Sequence, residues 1–209
     1  MVQVVRRLRE AGAGWLSIDT TRAEVAREAL QAGADLVNDV SGFLFDPPLA
    51  ALVAERGVPV VLMHLRGTFE TMHAPPRYDD VAAEVVDELR QRVGQAQRAG
   101  VRREQVILDP GLGFAKDAGH SLQMLRRLPE LAALDRPLLV GPSRKSFIGR
   151  VLDLPVGERL MGTAAAVAAC VLGGAHVVRV HDVKEMVQVT RLCDAILGSP
   201  VAQPLEALR

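Results

Sequence analysis

Lysine is nearly missing from this chain: of 25 basic residues only Lys116, Lys145 and Lys184 are lysines, and the rest are arginine. We read that bias as compositional rather than functional. Net charge is missing too, since Lys+Arg and Asp+Glu balance at 25 each. That balance argues against a nucleic-acid footprint or a polybasic membrane patch. Cysteine is scarce. Cys170 and Cys193 both fall in apolar helical stretches, and the pair reads as two buried free thiols of a reducing cytoplasm. No signal peptide and no 18-residue apolar span is present; the apolar stretch 164–173 is too short to cross a bilayer and reads as a buried helix. Low-complexity segments and linkers are absent as well, so residues 1–209 are expected to form one domain.

What is present is repetition. Short apolar runs at 15–18, 36–37, 58–63, 106–108, 138–140 and 177–180 alternate with longer helical segments. Several runs are continuously apolar, as strands buried on both faces are. Thr21-Arg22-Ala23-Glu24 reads as a capping box for a helix closed by Gly33. Asp46-Pro47 reads as an N-cap followed by proline at the first helical position. Residues 80–99 form a long amphipathic pattern ending at Gly100, 157–172 a small apolar one, and 182–197 the last helix.

Strand–helix repetition leaves two architectures, a doubly wound sheet or a (β/α) barrel. A dinucleotide-binding sheet carries G-x-G-x-x-G after its first strand, where this chain has Asp19-Thr20-Thr21. In a barrel all strand tips share one face, so polar residues at successive tips build one site. The expected fold is therefore an α/β TIM-type barrel, and an incomplete one. Six strands are counted where a closed barrel needs about eight. The helical pattern at 2–10 also opens the chain with no strand before it, which leads us to expect an upstream segment.

The strand tips carry Asp19, Asn38, Met63-His64, Asp109, Gly141-Pro142-Ser143 and Arg179-Val180-His181. Singly, each has an ordinary explanation: Asp19 as a helix cap, Asn38 as a turn residue, His181 beside a capping Asp182. Together on one face they are harder to dismiss, because desolvating carboxylates costs several kcal/mol unless they meet partners. Two carboxylates and a carboxamide can read the donor and acceptor edge of a flat heterocycle. Lys145 offers an ammonium to a ring carbonyl or nitrogen. Arg179 can stack on such a ring while donating to phosphate, with His181 and Ser143 beside it.

Asp109-Pro110-Gly111-Leu112-Gly113-Phe114-Ala115-Lys116 and Gly141-Pro142-Ser143-Arg144-Lys145-Ser146 are recognisable motifs. With Ser17-Ile18-Asp19-Thr20, Val37-Asn38-Asp39-Val40-Ser41-Gly42, Leu62-Met63-His64 and Arg179-Val180-His181-Asp182-Val183, the chain resembles the dihydropteroate synthase family of pterin-binding barrels over essentially its whole length. The resemblance implies pterin contacts from Asp19, Asn38, Asp109 and Lys145, with Met63 lining the same pocket. Arg179 would stack on the pterin and reach the diphosphate, and His181 would contact the diphosphate. Phe114 and Ser143 would flank the p-aminobenzoate pocket. Lys145, Arg179 and His181 are the residues expected to act in catalysis. Lys116 is expected to be a solvated surface lysine, and His64 is assigned no role.

The implied reaction is displacement of pyrophosphate from 6-hydroxymethyl-7,8-dihydropterin diphosphate by the amine of p-aminobenzoate. It needs no nucleophilic side chain, and no Ser-His or Cys-His pairing stands out. Magnesium (Mg2+) on the diphosphate and a homodimer through outer helices are further implications. The family's Asn-x-Thr-Pro-Asp-Ser-Phe and Gly-Gly-x-Ser-Thr-Arg-Pro-Gly loops have no counterpart here, and the metal-linked asparagine belongs to the first of them. The expected metal ligand is thus not among these residues. A pterin-binding module without synthase activity is one alternative. A methyltetrahydrofolate-binding methyltransferase domain is another, which the Ser143–Ser146 loop and the Arg179-Val180-His181 end disfavour.

Overall fold

The computed structural model describes residues 1–68, 70–71 and 77–198. The one-domain expectation extends over 199–209, which lie outside them. Among the described residues six short parallel strands alternate with helices. β1 (Ser17–Asp19), β2 (Leu36–Asp39), β3 (Val60–Met63) and β4 (Val106–Asp109) form one sheet in that order; β5 (Leu139–Val140) and β6 (Val177–Val178) form a second. A parallel bridge between Leu108 and Leu138 joins the two into one curved wall. Register pairs Ile18 with Val37, Val37 with Val60, Val60 with Val106, and Leu139 with Val177. The apolar strand residues Val37, Val60, Leu62, Val106, Leu108 and Val140 are all inaccessible to solvent. That is why these runs show no polar alternation.

Parallel strands require crossovers, and helices supply them. The helices are α1 (Val2–Glu10), α2 (Ala23–Gln31), α3 (Pro48–Arg56), α4 (Val81–Arg98), α5 (Ala118–Arg126), α6 (Ser146–Leu152), α7 (Leu160–Leu172) and α8 (Val183–Ile196), of which α2 to α7 lie between successive strands. The strand order and outer helices make an incomplete TIM-type barrel. Among the described residues β1 pairs only with β2 and β6 only with β5, so the wall is open between them.

Two helix starts differ from the expected ones. The Thr21–Glu24 capping box does not form: α2 begins at Ala23, and no side chain of its own N-cap serves it. The Ala23 N–H instead donates to the Asp46 carboxylate at 2.7 Å, from a segment 23 residues away. Asp46 is thereby drawn away from the α3 start, where Pro47 is the N-cap and Pro48 opens the helix. The sequence pattern does not announce helices α5 (Ala118–Arg126) and α6 (Ser146–Leu152). Asp80 does cap α4 as its position suggests, accepting from Ala82 and Ala83 N–H.

The end of the wall remote from the strand tips is pinned by one buried amide. Gln105, 3% exposed, donates from Nε2 to the carbonyls of Val53 and Val58, and its Oε1 accepts from Arg102 N–H. Gln105→Ala strands two carbonyls and one amide in the interior. A stability loss of about 2 kcal/mol is expected in urea titrations, whereas a loss under about 0.5 kcal/mol would show that water replaces the amide.

Candidate functional site

All six strands run in one direction, so their C-terminal ends share one rim, and that rim encloses a cleft of about 660 Å³. The structure brings Asp19, Asn38, Met63, Asp109, Phe114, Ser143, Lys145, Arg179 and His181 together around it. Four strands and three loops contribute them, and Arg179 and Asp19, 160 residues apart in the chain, meet there.

The floor is polar and mostly buried. Asn38 Nδ2 donates to Asp19 Oδ1 in a short hydrogen bond across β1 and β2, while the Asn38 carbonyl oxygen is buried and unpartnered. Asp109 ends β4 with 8% exposure, and its Oδ1 accepts from Gly111 N–H at 2.7 Å. Burial pushes the Asp109 carboxyl up to about 6, against the opposing pull of Gly111 N–H and the nearby Lys145, Lys116 and Arg179 charges. The site therefore lines the cleft with two carboxylates and a carboxamide whose side-chain oxygen is buried and unpartnered.

The rim is cationic. Lys145 Nζ lies 4.2 Å from the Phe114 ring centroid, over its face. Burial lowers the Lys145 pKa, partly opposed by Asp109. Across the opening between the outer strands, Arg179 Nη2 reaches Asp19 Oδ2 at 2.5 Å, so side chains close at the mouth what the strands leave open. That pair is half-exposed, and its bond exchanges easily for a bond to an incoming anion. Ser143 Oγ pairs with His181 Nδ1 at 2.8 Å and also accepts from His181 N–H at 3.2 Å. Behind it Arg144 grips Asp182 through two nitrogens, and its own N–H donates to Thr163, fixing the 141–145 loop to α7 and the start of α8.

Lys116 is a correction. It is 6% exposed rather than solvated, and its Nζ lies 2.8 Å from His64 Nδ1, 3.3 Å from Gly111 O and 3.2 Å from Phe114 O. His64 is buried as well and donates from Nε2 to Glu88 Oε2 at 3.1 Å. The sequence pattern singles out neither Glu88, Arg66 nor Tyr78. Nothing local marks them, because their partners come from three different segments.

A parallel β/α wall with an acid-and-amide floor and an arginine, lysine and histidine rim defines a site for a flat, hydrogen-bonding ring that carries phosphate. The comparisons agree. The family model described as "Pterin binding enzyme" matches residues 1–181. Dihydropteroate synthase of a Synechocystis strain is 50% identical over 196 residues, 93% of this chain and 68% of that protein. The crystal structure of dihydropteroate synthase from Stenotrophomonas maltophilia with active site-bound imidazole superposes with a TM-score of 0.91 at 37% identity, covering 96% of this chain and 76% of that one. The enzyme of Xanthomonas albilineans with 4-aminobenzoic acid gives a TM-score of 0.88 at 38% identity, with coverages of 96% and 71%. The chain belongs to the dihydropteroate synthase family, transferases of folate biosynthesis.

Proposed function

We propose that the cleft holds 6-hydroxymethyl-7,8-dihydropterin diphosphate by its ring edge and presents its methylene carbon to the amine of p-aminobenzoate. The observation that carries this reading is the arrangement of groups: the acceptors Asn38 and Asp109 lie buried on the floor, while Arg179 and His181 stand exposed at the rim, where Arg179 pairs with Asp19. Asp109 and Asp19 would accept from the ring's amino and ring N–H groups. The Asn38 carbonyl, unpartnered in its place, is a further acceptor. Lys145 would donate to a ring carbonyl or nitrogen, and Met63 would pack on the ring. Arg179, His181 and Ser143 would take the diphosphate, and the Arg179–Asp19 bond would be replaced by a charge-assisted bond to a phosphate oxygen.

In this reaction the amine nitrogen bonds to the methylene carbon as the carbon–oxygen bond to diphosphate breaks, and the amine gives up a proton. The residues need only align the two reactants and stabilise the developing negative charge on the leaving group. Lys145, Arg179 and His181 do that work. Phe114 and Ser143 would bound the space for the aromatic acid. We propose magnesium as a counter-ion travelling with the diphosphate. Among the described residues no three His, Cys, Asp or Glu side chains gather to hold a metal.

A homodimer through the outer helices is also proposed, supported by exposed Met161 and Leu172 on α7 and Leu192 and Ile196 on α8. No helix among the described residues is long and apolar enough to cross a membrane. A cytoplasmic location is proposed on the free, buried thiols of Cys170 and Cys193.

Calorimetry tests the reading. The pterin diphosphate is expected to bind the wild-type chain, and Arg179→Ala to lose about tenfold more affinity for the diphosphate than for the free hydroxymethylpterin, whose own loss reports ring stacking, the difference being roughly the worth of one charge-assisted bond. An equal loss for both ligands would overturn the assignment of Arg179 to the phosphates.

A further inference from the structure

The proposed reaction uses neither Lys116 nor His64, yet both are buried and charged or polar partners are stacked behind them. Lys116 does not line the cleft. It stands under the turn that does, the loop from Gly111 to Lys116 between β4 and α5. That turn is tight: Gly111, Gly113 and Ala115 all have positive φ, at 67°, 75° and 46°. For alanine this is an unfavourable conformation that surrounding contacts must enforce. The contacts are those of the Lys116 ammonium with the Gly111 and Phe114 carbonyls, and of Tyr78 Oη, which donates to Ala115 O at 2.9 Å.

The acceptor at the third corner is fixed from behind. Glu88, on α4, accepts from His64 Nε2, which leaves the Nδ1 lone pair for Lys116. Arg66 bonds Glu84 and Glu88 and lies 4.0 Å over the Tyr78 ring. An ammonium has three N–H groups for these three acceptors, and a neutral amine has two. Loss of one proton must therefore release His64, Gly111 O or Phe114 O.

We propose that Lys116 is a positioning residue for the second substrate: its ammonium sets the 111–116 turn, and through it the place of Phe114 against Lys145, so that the proton on a side chain outside the cleft governs how the aromatic amine is received. The proposal rests on the p-aminobenzoate reading above. The groups facing Lys116 are Arg66 and the neutral His64 after β3, Glu88 on α4, Asp109 on β4 and Lys145 from the next loop. Tyr78 lies 6.0 Å away at its ring centre, with His120 of α5 on its other side. Burial pulls the Lys116 pKa down to about 7, with Asp109 and Glu88 opposing and Arg66 and Lys145 reinforcing. Burial likewise holds His64 neutral, at about 4. The proton in question is thus the lysine's, and it is lost as the pH rises past neutrality.

Two measurements on the full chain decide it. The backbone amides of Gly113 and Ala115, followed by NMR from pH 6 to 9, are expected to shift together in the wild type and to stay flat in that range in Lys116→Met, whereas the Gly111 amide, bonded to Asp109, follows that carboxyl instead. Glu88→Gln keeps an acceptor for His64 but removes a charge that favours the ammonium, so it should move the midpoint to lower pH. That variant serves if Lys116→Met does not fold. In calorimetry, p-aminobenzoate affinity with pterin and pyrophosphate present should fall about tenfold in Lys116→Met at pH 6.5, with pterin affinity changed less than threefold and Lys116→Arg restoring part of the loss. Wild-type affinity should approach that of Lys116→Met by pH 9. A titration that survives Lys116→Met with its midpoint unmoved by Glu88→Gln, or equal losses for both ligands at every pH, would overturn the proposal. If the wild type binds no pterin, the functional reading fails, and the amide titration still judges the lysine.

Discussion

Asp109→Asn is expected to make the free protein more stable at neutral pH while removing most of its affinity for a pterin. The two effects have one cause. Burial raises the Asp109 carboxyl from its ordinary 3.8 to about 6 in the folded chain. Between those values the folded state binds more protons than the unfolded one, so stability falls as the pH rises through that window. By pH 7 the ionised group has cost the fold about 3 kcal/mol, at about 1.4 kcal/mol for each pH unit separating the folded and unfolded values. Asparagine carries no charge, and its side-chain oxygen can still accept from Gly111 N–H as Asp109 does now. Urea titrations at pH 7.5 should therefore find the variant more stable by roughly 1–3 kcal/mol, with the difference vanishing near pH 4. Binding moves the other way, since a buried carboxylate accepting from ring N–H groups is lost, and about 2–4 kcal/mol should go with it. For the wild type, pterin affinity should climb as the pH rises through about 6. A variant less stable than wild type at pH 7.5, or one that binds pterin equally well, would refute the assignment.

That carboxylate is legible in the sequence because a strand core with no polar alternation ends abruptly in Asp109, as others end in Asp19 and Asn38. The chain must have a reason to place unpaired acceptors where desolvation is costly. The barrel is legible for the same kind of reason, from buried parallel strands with all their chemistry at one end. What lies hidden depends on long-range pairing. Asp46 looks like the cap of the helix beside it, and it caps α2 instead. Lys116 looks like any lysine after a glycine-rich loop. Only the fold shows His64 and two carbonyls converging on its nitrogen, with Glu88 brought up behind by α4. Sequence periodicity reports which face of an element is apolar, and it is silent on which polar side chain ends up under which loop.

The 111–116 turn also makes the second large prediction. A Cβ at Gly111 would fall well inside contact distance of the His64 carbonyl oxygen, a backbone atom held in place by β3. The Gly111 φ of 67° is unfavourable for alanine besides. Strain of about 1–2 kcal/mol and overpacking of about 1–3 kcal/mol combine in Gly111→Ala. The loss should be roughly 2–5 kcal/mol, enough to unfold much of a marginal domain. Gly113 separates the two contributions. Its φ is 75°, but a Cβ there meets only the flexible Lys145 side chain at 3.5 Å, ordinary contact. Gly113→Ala should therefore cost about 1 kcal/mol, strain alone. Thermal unfolding of both variants checks the difference. Equal losses would mean that His64 and its strand yield to the new methyl group, and that the close approach of backbone to backbone does not hold the turn. A wide gap, with Gly111→Ala far the worse, would place the rigidity of the site in the contact between the β4–α5 turn and the end of β3, which lies behind Asp109, Phe114 and Lys116 alike.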